Sequence, residues 1–300
     1  MLQTYDERNA DLLVNINGNL VHRDEAGISP FDSTVQAGDA VWEGLRVYEG
    51  RIFRFQEHLD RLRRSAEALS FESIPDDAHI IDQVRRTLEA NGMRDGVHIR
   101  LTLSRGVKIT SGMDPRLNQS GPTLIVLAEF KAPVYDTGGL TLNPSSLRRF
   151  PPHMLNQNIH SCNILQSILA KIEATAGGAD DALMLDEHGF LAETNATHVF
   201  IVKDGVVMTS TTASCPEGVT RGVVLEICAA EEIPHEVRNI TLEEVHGADE
   251  VFCTGTMGEL AAVTTIDGHQ IGDGGVGAMT TRLSGLYLQR TGSEGHQVVD

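Results

Sequence analysis

Residues 41–66 read VWEGLRVYEGRIFRFQEHLDRLRRSA, and the change of period inside this stretch decides the fold class. A strand pattern turns at Glu49-Gly50 in RVYEGRIFRF. From about Gln56 to Leu69 the apolar residues Leu59, Leu62, Ala66 and Leu69 recur at helical spacing. Upstream, LLVNINGNLV reads as another hairpin, turned by Asn17-Gly18. Downstream, a second helix over roughly 78–91 stops at Asn91-Gly92. VHIRLTLSRG and TLIVLAEF then read as strands, the second so apolar that it belongs at the centre of a sheet.

The same alternation continues beyond a Pro- and Gly-bearing linker in KAPVYDTGG. A helix is expected from about Ser161 to Ala176, with Ile164, Ile168 and Ile172 on one stripe and Leu165 and Leu169 beside it. Strands follow at DALMLD, HVFIVKDGVVM, VFCTGT and ELAAVTTIDG, and helices at 218–231 and 276–289. The tail TGSEGHQVVD reads as mobile. Strands dominate both halves with helices between them. The expectation is therefore two α/β or α+β domains meeting at a cleft: 1–132, a linker at 133–139, and 140–300.

Composition excludes several function classes. The 300 residues suffice for two ordinary domains, and 41% hydrophobic with 22% charged residues describes a globular chain. A net charge of −18 leaves no basic surplus to release counterions, so nucleic acid is not an expected partner. No apolar run reaches membrane-spanning length; ILQSILAKIEA is interrupted by Gln166, Lys171 and Glu173. The start, MLQTYDERNA, is polar and reads as no secretory leader. The four cysteines (Cys162, Cys215, Cys228, Cys253) have neither CxxC nor metal-ligand spacing. They read as reduced, buried, hydrophobe-like thiols of a cytoplasmic protein, with no metal site.

Two spots invite an anion on physical grounds. Pro216-Glu217-Gly218-Val219-Thr220 is a glycine-bearing turn into an apolar helix, where backbone N–H groups and the helix dipole favour a phosphate. Thr254-Gly255-Thr256 closes a strand with two hydroxyls around a glycine. Taken singly, each is more often plain punctuation.

Their neighbours give them meaning. VWEGLRVYEGRIFRFQEHLDRLRRSA, NILQSILAKIEA, GFLAETNATHVFIVKDG, CPEGVTRGVVLEI and ADEVFCTGTMGEL occur in this order from Val41 to about Leu288. In motif order and spacing this resembles the class IV aminotransferases, the family of branched-chain and D-amino acid transaminases and aminodeoxychorismate lyase. The resemblance implies the two-domain α+β architecture of fold type IV, a pyridoxal 5′-phosphate site between the domains, and a homodimer whose partner closes it. It places Arg61, Val219, Thr220 and Thr256 on the cofactor phosphate and Glu193 against the pyridine nitrogen, where a carboxylate keeps the ring an electron sink. A buried carboxylate lacking its pyridinium partner would be costly, so the retained Glu193 speaks for a bound ring.

The resemblance breaks in the active site, at the lysine and around the substrate space. The family's Schiff-base lysine falls in the stretch Ile159-His160-Ser161-Cys162-Asn163-Ile164-Leu165, where His160 stands in its place and Ile164 replaces a tyrosine. An imidazole cannot form the imine that a primary amine forms. Ala37 stands near a usual aromatic, Trp42 replaces a Phe or Tyr, and His98 takes a tyrosine-like place before Arg100. Trp42, His98, Arg100, Met257 and Gly258 are the substrate-side candidates. Of the four lysines, Lys171 lies about 16 Å beyond His160 if helical, Lys203 sits in a surface hairpin, and Lys131 opens the linker. Lys108 is the one alternative amine; its plain reading is an exposed loop lysine.

His160 near a helix start is expected to be neutral and a competent general base. Three readings stay open. One is an enzyme holding pyridoxal or pyridoxamine 5′-phosphate non-covalently and acting on an amino or 2-oxo acid. The second is a cofactor-independent hydrolase or lyase reusing the anion pocket, and the third a non-catalytic binding protein. A transaminase with a relocated lysine is a variant of the first.

Overall fold

In the computed structural model, which describes residues 4–133, 135 and 138–300, contacts divide the chain into two units. The N-terminal unit comprises the described residues up to Ala132, together with Ile159–Asn163 and Thr291–Asp300. The C-terminal unit comprises Pro133–Asn158 and Ile164–Arg290. Set against expected boundaries at 132 and 140, the segments 159–163 and 291–300 pack with the N-terminal unit. The expected linker falls partly on residues 134, 136 and 137, which lie outside the described residues.

The N-terminal unit opens with the hairpin β1 (Leu13–Ile16) and β2 (Asn19–His22). Asn17 at φ 50° and Gly18 at φ 82° supply the paired positive dihedrals that a two-residue turn needs. Then follow α1 (Ser33–Ala37), β3 (Ala40–Tyr48), β4 (Arg51–Ile52), α2 (Phe55–Ala68), α3 (Asp77–Ala90), β5 (Val97–Ser104) and β6 (Thr123–Phe130). Neighbouring strands are antiparallel, in the order β4-β3-β5-β6-β1-β2. Leu59 and Leu62 of α2 and Val84 and Leu88 of α3 share a core with Val41, Leu45, Ile99, Leu101 and Val126 of the sheet. β6 lies inside the sheet, as its apolar run requires.

The C-terminal unit runs β7 (Leu140–Arg148), α4 (Leu165–Ala176), β8 (Asp181–Leu185), β9 (Leu191–Thr194), β10 (His198–Lys203) and β11 (Val206–Thr209). It continues with α5 (Val219–Ala230), β12 (His235–Val237), α6 (Leu242–His246), β13 (Glu250–Gly255), β14 (Glu259–Ile266), β15 (His269–Gln270) and α7 (Ala278–Ser293). Its sheet has the order β12-β11-β10-β13-β14-β7-β8-β9, with β15 beside β14. β7 was absent from the sequence expectation. Pro144 and the two serines after it break any alternation, yet Leu140 and Leu142 are buried and the strand pairs parallel to both β14 and β8.

Two expectations are corrected. Helix α4 begins at Leu165 instead of about Ser161, and it turns Ala170 and Ala174 inward. Its large apolar stripe faces out: Leu165, Ile168, Leu169 and Ile172 are 65%, 48%, 45% and 59% exposed. The tail is docked and not mobile. Strand β16 (His296–Gln297) pairs antiparallel with β4, and Val298 and Val299 are buried. Both valine amides donate to the carbonyl of Gly50. Two terminal valines supply the apolar burial that the polar residues before them hide from a composition reading. No helix among the described residues is long and apolar enough to cross a membrane.

Candidate active site

Successive residues of β3 point to opposite faces of the sheet, and the site of the N-terminal unit uses both. Glu43 points to the face covered by α2 and is fully buried. His58 and Arg61, three residues apart on α2 and so neighbours on one helical face, both reach it. Arg61 donates to Glu43 through Nε at 2.8 Å and Nη2 at 2.6 Å, and His58 Nδ1 lies 2.7 Å from Oε2.

The fourth member arrives from far along the chain. Strand β4 is only two residues long, so one edge of β3 stays open ahead of Val47. The segment 159–163 fills it: Trp42 N donates to the His160 carbonyl (3.0 Å), Cys162 N to the Ala40 carbonyl (2.8 Å), and Val41 bridges Ser161. His160 N–H donates to Ser65 Oγ at 3.0 Å, and its Nδ1 lies 3.2 Å from Glu43 Oε1. Burial alone would push Glu43 up, but the charge of Arg61 and the contact with His160 hold its carboxyl well below the usual range. An ionised carboxylate only accepts, so His160 carries its proton on Nδ1 and presents a lone pair at Nε2. Burial first and Arg61 second lower the His160 pKa, against an opposing pull from Glu43. The helix-dipole explanation is therefore corrected: α4 starts only at Leu165, and desolvation keeps the imidazole neutral. Its side chain keeps 17% of its surface exposed, so the ring is accessible.

On the other face of the sheet, Trp42, Gly44 and Arg46 of β3 stand opposite Thr102, Arg100 and His98 of β5. The Trp42 and His160 rings lie 4.3 Å apart between centroids, and the Arg100 guanidinium sits 3.6 Å over the indole. Such a cation–π contact contributes about 0.5–2 kcal/mol. Trp42 Nε1 donates to the Ser161 carbonyl at 3.1 Å, which fixes the ring against the inserted segment. His98 is buried and its pKa is lowered to about 3, chiefly by burial and then by Lys131, Arg46 and Arg100. Its Nε2 is a buried polar atom with no hydrogen-bond partner. Trp42, His98 and Arg100 thus share one face of the sheet.

The C-terminal unit holds the anion features. Gly218 precedes α5 and offers no side-chain cap, so the amides at Val219 and Thr220 are open to an anion. A Cβ on Gly218 would fall 2.3 Å from the His198 ring. His198 on β10 pairs with Thr254 on β13, whose buried hydroxyl has no partner. Thr256, Met257 and Gly258 form the turn after β13, and the Tyr135 ring occupies the space above Gly258. An uncapped helix start, an orphaned buried hydroxyl and a glycine that must remain a glycine fit a phosphate.

Comparison with known proteins decides the family. The model of amino-transferase class IV matches residues 40–266, most of the chain. The chain belongs to this family. Branched-chain-amino-acid aminotransferase-like protein 2 of Arabidopsis thaliana is 50% identical over 288 residues, covering 96% of this chain and 52% of that protein. The chain thus spans about half the length of this plant relative. A putative branched-chain-amino-acid aminotransferase of Methanocaldococcus jannaschii is 37% identical, covering 96% of this chain and 99% of that one. Among solved structures, a branched-chain aminotransferase from the thermophilic archaeon Thermoproteus uzoniensis, with norvaline, superposes with a TM-score of 0.86 at 28% identity, covering 95% of this chain and 96% of that one. The Escherichia coli branched-chain enzyme gives 0.88 at 26% identity, with the same coverage of both chains.

Within this class IV chain, the charges expected to meet a cofactor already have protein partners. Arg61 is paired with Glu43. Glu193, buried on β9, lies with Oε1 3.0 Å from Arg149 Nε. Its retention therefore does not by itself demand a pyridinium, which corrects that part of the sequence argument. Lys108 is not the exposed loop lysine expected: it is 4% exposed and its amine donates to the Gly112 carbonyl at 2.6 Å. Lys171 is engaged by Asp181 at 2.7 Å and Lys203 by Asp249 at 2.8 Å. Sequence reasoning missed Glu43, His58 and Arg149. The spacing of His58 and Arg61 in HLDRL carried a signal for His58, whereas nothing local pointed to Glu43 or Arg149.

Proposed function

We propose that this chain is a class IV aminotransferase-type enzyme acting on an amino acid or 2-oxo acid. It binds pyridoxal or pyridoxamine 5′-phosphate non-covalently, and His160 is its general base in the position of the family's lysine. The observation that carries this reading is the His160 geometry: Nδ1 tied to an ionised Glu43, Nε2 basic, the ring neutral and accessible. Relatives named as branched-chain and D-alanine aminotransferases, and solved branched-chain aminotransferases with pyridoxamine 5′-phosphate and phosphopyridoxyl-glutamate, support the cofactor and the substrate class. Bound there, the cofactor supplies an electron-poor ring that makes a neighbouring carbon acid more acidic. Val219, Thr220 and Thr256 would hold its phosphate with Arg61, and Glu193 would meet its ring nitrogen. Arg100, stacked on Trp42, would orient a substrate carboxylate, with His98, Met257 and Gly258 shaping the remaining space. His160 Nε2 would take and return the proton on that substrate. Four unbonded thiols suit a reducing, cytoplasmic setting.

A second reading is a cofactor-independent hydrolase or lyase. It is favoured by the internal pairing of Arg61 and Glu193, which makes both charges stable without a ring. One experiment separates the two. The purified protein is incubated with pyridoxal 5′-phosphate, its absorbance spectrum and the fluorescence of Trp42, the single tryptophan, are recorded, and it is then reduced with borohydride and peptide-mapped. Binding that quenches Trp42 and is lost on dialysis, with no labelled lysine, is the expected result. A label on Lys108 moves the chemistry to that amine, and absence of binding turns the search to the second reading.

A further inference from the structure

The following rests on the proposed use of Glu193 and concerns the residue behind it. Arg149 and Glu193 are each 6% exposed, and their 3.0 Å contact is an ion pair without an aligned hydrogen bond from Nε. The rest of the guanidinium is anchored on two other elements. Nη1 donates to Ser167 Oγ in the first turn of α4 (3.0 Å), and Nη2 donates to the carbonyl of Thr194, the residue after Glu193 (3.0 Å). Arg149 itself directly follows β7. Three elements thus fix one cation against one carboxylate.

That cation is a fixed counter-charge beside the buried carboxylate. Cys215 is fully buried nearby, its thiol pushed up by burial and then by the charge of Glu193. Arg221, the other cation facing Cys215, donates Nη2 to the Ser210 carbonyl at 2.8 Å. A buried carboxylate without a counter-charge takes up a proton, and a ring nitrogen placed against it then meets a neutral acid and stays unprotonated.

We propose that Arg149 is a positioning residue that keeps Glu193 ionised and aimed, so that a pyridine-type ring nitrogen bound against Glu193 carries the proton. Arg149 touches no reacting atom; it acts through Glu193.

The test uses the full chain with carboxyl-labelled glutamate, the Glu193 resonance being assigned by its loss in E193Q. At neutral pH and without ligand, wild type and R149K should show an ionised Glu193, and R149M a protonated one. With pyridoxal 5′-phosphate labelled at the ring nitrogen, wild type and R149K should give a pyridinium shift and R149M that of a neutral pyridine. If R149M does not fold, R149Q, polar but uncharged, carries the same comparison. An ionised Glu193 in the uncharged variants overturns the proposal. A wild type that binds no cofactor, with the carboxylate still responding to loss of the Arg149 charge, sinks the functional reading and leaves this role standing.

Discussion

Glu43 has no surface exposure, and three side chains converge on its two oxygens. E43Q withdraws the counter-charge it gives Arg61 inside the unit, and breaking a buried ion pair from one side costs about 3–5 kcal/mol. Urea unfolding should register that loss, and a loss below about 1 kcal/mol would contradict the buried network. The same variant makes a second reading possible, because Glu43 raises the His160 pKa against burial and Arg61. Without Glu43 the imidazole should titrate lower still, as followed by its ring proton resonance; a rise would mean that the carboxylate does not face this ring. Arg61 and His160 could be singled out from motif positions. Their common partner could not, because Glu43 meets His58 and Arg61 only through the packing of α2 on the sheet, and His160 only through the pairing of an inserted segment with β3.

Elements with a local cause were legible and those with a tertiary cause were not. The turns at Asn17-Gly18 and Glu49-Gly50 carry positive φ at both positions, so the hairpins follow from residue type. β7 owes its existence to two parallel neighbours, and β16 to an edge that only the folded sheet provides. The sequence marked the turn before α5 as a candidate anion site, but the reason for its glycine is His198. G218A should cost about 1–3 kcal/mol by overpacking and weaken phosphate binding, measurable by thermal unfolding and inorganic phosphate titration. Unchanged stability would show that the His198 ring has room to move. Deleting 291–300 removes the strand pairing with β4 and exposes the surface that Val298 and Val299 cover. At about 1.5–3 kcal/mol per buried side chain, the truncated protein should melt several degrees lower, with amide exchange rising around Arg51 and Ile52. Exchange unchanged there would disprove the clamp.

At the scale of the molecule, burial of His98 makes stability depend on pH. His98 binds a proton in the unfolded chain below 6.5, but in the folded chain only below about 3. Between those values the unfolded state holds more protons, so stability falls as pH drops through 6.5 and levels off near 3. His160 acts in the same direction, and H98Q should flatten this limb of a melting-temperature profile; an unchanged slope would assign it to other groups. The larger consequence concerns α4. Its alanines face the sheet while Leu165, Ile168, Leu169 and Ile172 face outward, the reverse of a helix serving only its own core. The sequence disclosed the stripe but not which side it faces, since periodicity is the same whether the cover is one's own sheet or another chain. With the expected homodimer, a second copy is the proposed cover. Half-covering four such side chains on each protomer supplies several kcal/mol, on the order of 1 kcal/mol apiece. Light scattering should find a dimer for the wild type and a monomer for I168E/I172K, with far-ultraviolet dichroism unchanged because Ala170 and Ala174 keep their seats. A monomeric wild type, or a variant that remains dimeric, would remove α4 from the interface and leave its exposed stripe to some other partner.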